Sequence, residues 1–183
     1  MLTPREVSRE CRNKWVIMIE RITFLIFSKI FRFLPATRMF KTKNYILKLG
    51  GAKVDLTARL HSQIIIDNKY FAIGKDTWVG GGTRIIGHRS ALVYIGDYCD
   101  IAPECLFIVG SHELGNTERR AGNGFAKPIR VGNGTWVGAR STILGGTSIG
   151  KGCVIAAGSI VVNDISDNTM VGGCPAKFIK NLD

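Results

Sequence analysis

Three histidines are spread along the 183 residues, at His61, His88 and His112. His112 stands in Ser111-His112-Glu113, ahead of a loop that reads LGNTERRAGNGFAK. Imidazole accepts and returns a proton near neutral pH, which suits it to general acid–base work. Taken alone, a histidine of this kind is a solvated loop residue. Zinc sites built on histidine need closely spaced ligands, and these three are too scattered for one. The five cysteines form no CxxC pair, so neither a metal site nor a disulfide framework is expected. Arg119 and Arg120, in the loop after His112, can bind an anionic or hydroxyl-rich glycan or simply face solvent. Lys177 and Lys180 follow Pro175-Ala176 near the end of the chain. Lysine is an ordinary phosphate partner, and a solvated basic tail is the plain alternative. No P-loop or dinucleotide GxGxxG context accompanies them.

The elements that must position these groups announce themselves as a six-residue beat. An aliphatic residue recurs at Val131, Val137, Ile143, Ile149, Ile155 and Val161. The beat also runs through Ile73, Val79 and Ile85, through Ile95 and Ile101, and more faintly through Val54, Leu60 and Ile66. Four residues after a beat sits a small side chain: Ala58, Thr77, Thr83, Cys99, Cys105, Thr135, Ser141, Thr147, Cys153 and Ser159. This period is neither helical nor simple strand alternation. It belongs to the hexapeptide repeats that build a β-helix. Each hexad gives one short strand and one tight corner of a narrow prism. The aliphatic residue points inward and stacks on the next coil, which leaves room for only a small second side chain. Cys99, Cys105 and Cys153 fill that small position and are explained by it. The beat fails most widely from Gly110 to about Lys127, and breaks in a repetitive scaffold are loops that carry function.

The ordered segments IGDYCDIAP, SHELG, PIRVGNGTWVGARSTILGG, IGKGCVIAAGSIVVNDI and GGCPAKFIK resemble the hexapeptide-repeat acyltransferases. The branch they look most like comprises the galactoside, maltose and capsular-polysaccharide O-acetyltransferases. The resemblance covers roughly residues 50 to 183. It implies an all-β fold, a left-handed parallel β-helix, and the whole chain is expected to form this β-helix with an N-terminal helical segment before it and a short C-terminal helix after it. It implies acetyl transfer from acetyl-CoA to a carbohydrate hydroxyl, without a metal, by a homotrimer with active sites at subunit interfaces. On this resemblance His112 is the catalytic base, and Pro128, sixteen positions on, matches the galactoside enzymes' spacing. Glu113 or a main-chain carbonyl would hold its tautomer. The Ala139 amide would stabilise the oxyanion, Gly138 would let the thioester approach closely, and Trp136 would shape the pocket. Ala157 and Gly158 fall where the family's coil binds the pantetheine arm. Lys177 and Lys180 match its basic residues near the nucleotide phosphates. Two departures stand out. Asn163 sits where relatives often carry a basic residue. Around Gly81, Gly82, Arg89 and Ser90 the Asn and Asp of the galactoside acceptor pattern are absent, which points to a different sugar on a capsular, exopolysaccharide or lipid-linked glycan.

Composition bounds the rest. The length fits one domain with a short extra element, read as residues 1–50 and a β-helix over 51–183 with a protruding loop at 110–127. The formal charge of +11 is uneven: residues 1–48 hold eleven Lys/Arg and three Asp/Glu, a net of +8, and the remainder nets +3. From Lys14 to Leu34 the spacing predicts a basic amphipathic helix, ended by Pro35, and a second helix is expected over residues 37–49. Four charges between residues 15 and 34 argue against a spanning helix, and no cleavage site marks a signal peptide. Such a helix either packs on the β-helix or a neighbouring subunit, or lies on an anionic membrane surface. Unpaired cysteines fit a reducing cytoplasm, with the membrane's inner face as the peripheral alternative.

Other readings differ in class. N-acetylation of a nucleotide-linked amino sugar uses the same fold and cosubstrate. A noncatalytic scaffold would not need His112 or GGCPAK. Charge alone is compatible with nucleic acid, but no recognition motif accompanies it, so no nucleic-acid partner is expected.

Overall fold

The computed structural model describes residues 4–183, with side chains from residue 15 onward. The Lys14 side chain, assigned above to the basic segment, lies outside the described side chains. Helix α1 runs Pro4–Phe33 and helix α2 Phe40–Leu49. The chain then winds through short parallel strands that form three faces. The first face holds Lys53–Val54, Phe71–Ile73, Val93–Ile95, Ile129–Val131 and Ser148–Ile149. The second holds Arg59–Leu60, Trp78–Val79, Asp100–Ile101, Trp136–Val137, Val154–Ile155 and Thr169–Gly172. The third holds Ile65–Ile66, Arg84–Ile86, Leu106–Ile108, Thr142–Leu144 and Ile160–Val161. This is a parallel β-helix of five full coils and part of a sixth.

Register places beat on beat. Val54, Ile73, Ile95, Val131 and Ile149 stack inside the first face. Leu60, Val79, Ile101, Val137, Ile155 and Val171 stack inside the second. On the third, Ile66, Ile85, Phe107, Ile143 and Val161 align. Phe107 continues the beat six residues after Ile101, an aromatic residue at a position that is otherwise aliphatic.

The small inward residues do more than save space. Thr77 Oγ1 donates to the Gly96 carbonyl at 2.7 Å and accepts from the Cys99 N–H at 3.0 Å. Thr135 repeats the pattern with Gly150 and Cys153 at 2.8 and 3.2 Å. Cys99, Cys105 and Cys153 direct their thiols at the Gly132, Gly138 and Ser166 carbonyls. Each hydroxyl or thiol therefore satisfies corner backbone that has no strand partner, where an orphan would be costly. Burial pushes all three thiols above their ordinary range.

The ends of the prism need separate closure. In the second coil the Thr77 and Val79 carbonyls accept from Arg59 and His61 of the coil before. Their counterparts in the first coil, Ala58 and Leu60, have no coil before them. Helix α2 supplies the donors: Asn44 Nδ2 reaches the Ala58 carbonyl at 2.7 Å, and Lys43 Nζ the Leu60 carbonyl at 2.5 Å. Lys43 is fully buried, also meets the Pro35 and Ala36 carbonyls, and stands 4.6 Å from the Phe40 ring centre. Burial lowers its pKa to about 8. Buried Phe24 and Phe31 of α1 complete this closure, Phe24 edge-on to Phe71.

At the opposite end the structure corrects the sequence reading. Residues Lys177–Asn181 form a strand, not a short helix, and pair antiparallel with Thr169–Gly172. The last coil leaves an unpaired strand edge, which another strand can satisfy with backbone partners and a helix cannot.

Candidate active site

The loop expected over residues 110–127 is a hairpin of Gly110–Leu114 against Ala121–Ala126. It leaves the prism at the corner between the third and first faces. Asn116 tightens its tip by accepting from the Glu118 and Arg119 N–H groups. His112 faces Gly124 across the hairpin, and a Cβ at Gly124 would stand 3.7 Å from its Cδ2 and Nε2. The glycine leaves that side of the ring open. His112 is exposed, and no hydrogen bond joins it to Glu113. Arg119 and Arg120 are exposed at the tip, with Arg120 reaching its own Gly115 carbonyl at 3.5 Å.

A second group of residues gathers on another corner, between the second and third faces. Gly138 N–H donates to Ile155, and Gly158 N–H to Ala139, each at 2.8 Å. The N–H groups of Ala139 and Ala157 find no acceptor among the described residues. They sit at equivalent turn positions one coil apart, roughly 4.8 Å by strand spacing, and form a short column of free donors. The equivalent place one coil earlier is Pro103, which has no N–H. Each turn is completed by a residue in the left-handed region: Glu104 at φ 62°, Arg140 at φ 59° and Gly158 at φ 71°.

The geometry bears on the two glycines of this corner. Gly138 is buried, and a Cβ on it would lie 2.6 Å from the Ala157 nitrogen and 2.7 Å from the Ile155 carbonyl. Its missing side chain is required by coil stacking. Gly158 has already spent its N–H on Ala139, so the free donor of that pair belongs to Ala157. A Cβ on Gly158 would project into open space, which leaves this corner uncrowded.

Trp136 is 56% exposed on the second face beside this corner. In its outward column Asp100 pairs with Trp136 on one side and Trp78 on the other. Trp78, Asp100, Ala102, Pro103 and Trp136 line a cavity of about 450 Å³. An exposed carboxylate between two indoles, with an apolar floor, suits a sugar ring with polar edges and apolar faces. The sequence reading missed Trp78 and Asp100. The signal was present, because each residue just before a second-face beat points outward in this same column. Arg140, next to Ala139, is held by Glu104 with Nε–Oε2 at 2.5 Å.

The described residues contain no cluster of three potential metal ligands. Lys177 and Lys180 are exposed on the terminal strand, opposite Gly172 and Met170. The hairpin histidine and the free amides thus occupy different edges of one prism, with the third face between them. A single chain does not bring these two groups together.

Residues 128–163 match the bacterial transferase hexapeptide family, described by six repeats. The galactoside O-acetyltransferase of Escherichia coli K12 is 37% identical over 110 residues, 60% of this chain and 53% of that protein. The chain thus spans about half the length of the curated relatives it matches. A hexapeptide-repeat acetyltransferase of Vibrio cholerae, solved with acetyl coenzyme A, superposes with a TM-score of 0.77 at 25% identity, covering 91% of this chain and 89% of that one. A galactoside acetyltransferase solved with coenzyme A gives 0.78 at 26% identity, covering 90% and 81%.

Proposed function

We propose that this chain is a hexapeptide-repeat acyltransferase that moves an acetyl group from acetyl-CoA to a hydroxyl of a sugar or surface glycan, a reading supported by the repeat match over residues 128–163 and by the likeness to a solved hexapeptide-repeat acetyltransferase. The acceptor class is a capsular, exopolysaccharide or lipid-linked glycan. The observation that carries this reading is the column of free Ala139 and Ala157 amides at an open corner beside Trp136. His112 removes the acceptor hydroxyl's proton as that oxygen attacks the thioester carbonyl. The Ala139 N–H receives the charge that develops on the carbonyl oxygen. Collapse breaks the carbon–sulfur bond, and the imidazolium returns its proton to the departing thiolate. The Ala157 N–H holds the pantetheine arm, and Lys177 and Lys180 stand by the nucleotide phosphates. Trp78, Asp100 and Trp136 hold the acceptor ring, and Arg119 and Arg120 reach the neighbouring sugars of a chain.

Because His112 and Ala139 lie on different edges, the working enzyme is a homotrimer in which one protomer's hairpin covers its partner's amide column. Cyclic closure suits a three-faced prism, and a left-handed winding follows from the family. Acetyl-CoA as donor places the reaction in the cytoplasm. The test is thiol release from acetyl-CoA against a panel of sugars and polysaccharides. Wild type should show acceptor-dependent release, and His112→Ala should lose roughly 10²- to 10⁴-fold in turnover with an unchanged melting curve. Full activity in that variant would remove His112 from the chemistry.

A further inference from the structure

Helix α1 has two apolar faces, and the β-helix uses only one. Phe24, Ser28 and Phe31 are buried against the first coils. On the far side Trp15, Ile19, Ile22, Ile26 and Phe33 are exposed at spacings of four, three, four and seven, which is one straight stripe. Their exposures run from 48% at Ile22 to 91% at Phe33. From residue 15 to 33 the stripe extends about 27 Å. A stripe this long is not the scatter of single apolar residues that any surface carries.

The charge around it says what covers it. Glu20 is the only acidic residue from Trp15 through Val54, and its carboxylate is engaged by Lys69 at 3.0 Å. Over the same stretch Arg21, Lys29, Arg32, Arg38, Lys41, Lys48 and Lys53 are exposed cations. A second copy of this surface would bring two basic borders together with no acid on either to answer them. A bilayer rich in anionic lipid answers both features at once, taking the stripe into its acyl boundary and the cations among its headgroups. Trp15 at one end suits the interfacial layer. No helix among the described residues is long and apolar enough to cross a membrane, so the geometry is a helix lying in the surface.

We propose that α1 seats the protein on an anionic membrane surface through Trp15, Ile19, Ile22, Ile26 and Phe33, with Arg21, Lys29 and Arg32 as its headgroup contacts. This goes beyond acetyl transfer and stands without it. The test is co-sedimentation of the full chain with vesicles of phosphatidylcholine alone, and of phosphatidylcholine with phosphatidylglycerol at roughly three to one. Wild type should pellet with the mixed vesicles only, and added salt should release it. An Ile22→Asp/Ile26→Asp variant should stay in the supernatant, with its melting curve and elution volume unchanged. A Lys29→Glu/Arg32→Glu variant should lose the preference for the anionic vesicles. Wild type that remains in the supernatant with both vesicle types overturns the proposal. So does an aspartate variant that elutes as a smaller species than wild type, since the stripe is then covered by another copy of the chain.

Discussion

Replacing Ala139 by proline removes one hydrogen-bond donor and almost nothing else. The turn at Ala139 and Arg140 repeats the turn at Pro103 and Glu104 one coil earlier, where the second residue has φ of 62° against 59° at Arg140. Proline is therefore already accommodated in this backbone setting, at the position of such turns that favours it. The residue before it is Gly138, which has no Cβ to meet the new ring. Ala139 keeps its carbonyl, so the 2.8 Å bond from Gly158 survives. Its N–H has no acceptor among the described residues, so no hydrogen bond described in the fold is lost. Restricting the unfolded chain should leave stability unchanged or raise it by about 0.4–1 kcal/mol. If that N–H holds the oxyanion, turnover should fall about 10²- to 10³-fold, or roughly 3–4 kcal/mol of transition-state stabilisation. Ala139→Gly keeps the donor and should stay within a few-fold of wild type. Steady-state thiol release and a melting curve on all three proteins give the comparison. Ala139→Pro with wild-type turnover and a wild-type melt would refute the assignment of the amide. Mixed refolding of His112→Ala and Ala139→Pro chains extends it: activity should reappear, because some sites then combine an intact hairpin with an intact corner.

Two predictions concern the scaffold. Thr77→Val keeps volume but deprives the Gly96 carbonyl and the Cys99 N–H of their partner. Unfolding in urea should show a loss of about 1–3 kcal/mol for such an orphaned buried group. Lys43 gives a pH signature. Its folded-state pKa of about 8 lies below the ordinary 10.5, so between those values the unfolded chain binds the extra proton. Stability contributed by this site therefore rises with pH across that window and is flat below it. The buried thiols act in the opposite sense, because their folded pKa values are raised. The urea midpoint of wild type minus that of Lys43→Met cancels the thiol contribution. This difference should increase from pH 8 to 10.5, and a flat difference would mean that Lys43 keeps its proton.

How much of this was legible in the sequence differs from residue to residue. The inward stack could be read directly because a narrow prism allows only two residue kinds inside, and their recurrence fixes the coil. Phe107 escaped because an aromatic residue in an aliphatic series looks like a break. The ladder of Thr77, Thr135 and their equivalents read as a matter of size, since hydrogen bonding to the next coil depends on which corner carbonyl lies within reach. Lys43 read as one basic residue among many. Its burial follows from unpaired carbonyls at the start of the prism, which no local pattern records. The C-terminal strand was missed for the same reason at the other end. His112, Ala139 and Trp136 were identified through the family's motifs. Their separation onto two edges appears only when the coils are stacked, and Trp78 and Asp100 join Trp136 only then.

The two closures also give the scaffold a fixed length. A ladder of parallel coils could in principle continue indefinitely, each coil templating another, as fibrils do. Lys43 and Asn44 occupy the carbonyls on which a foreign strand would start at one end. At the other end the chain reverses direction, so the outermost strand no longer offers the parallel register of a coil. Its exposed edge carries Lys177 and Lys180, charges that discourage a neighbouring strand from docking. The molecule is a finite segment of a geometry that would otherwise polymerise.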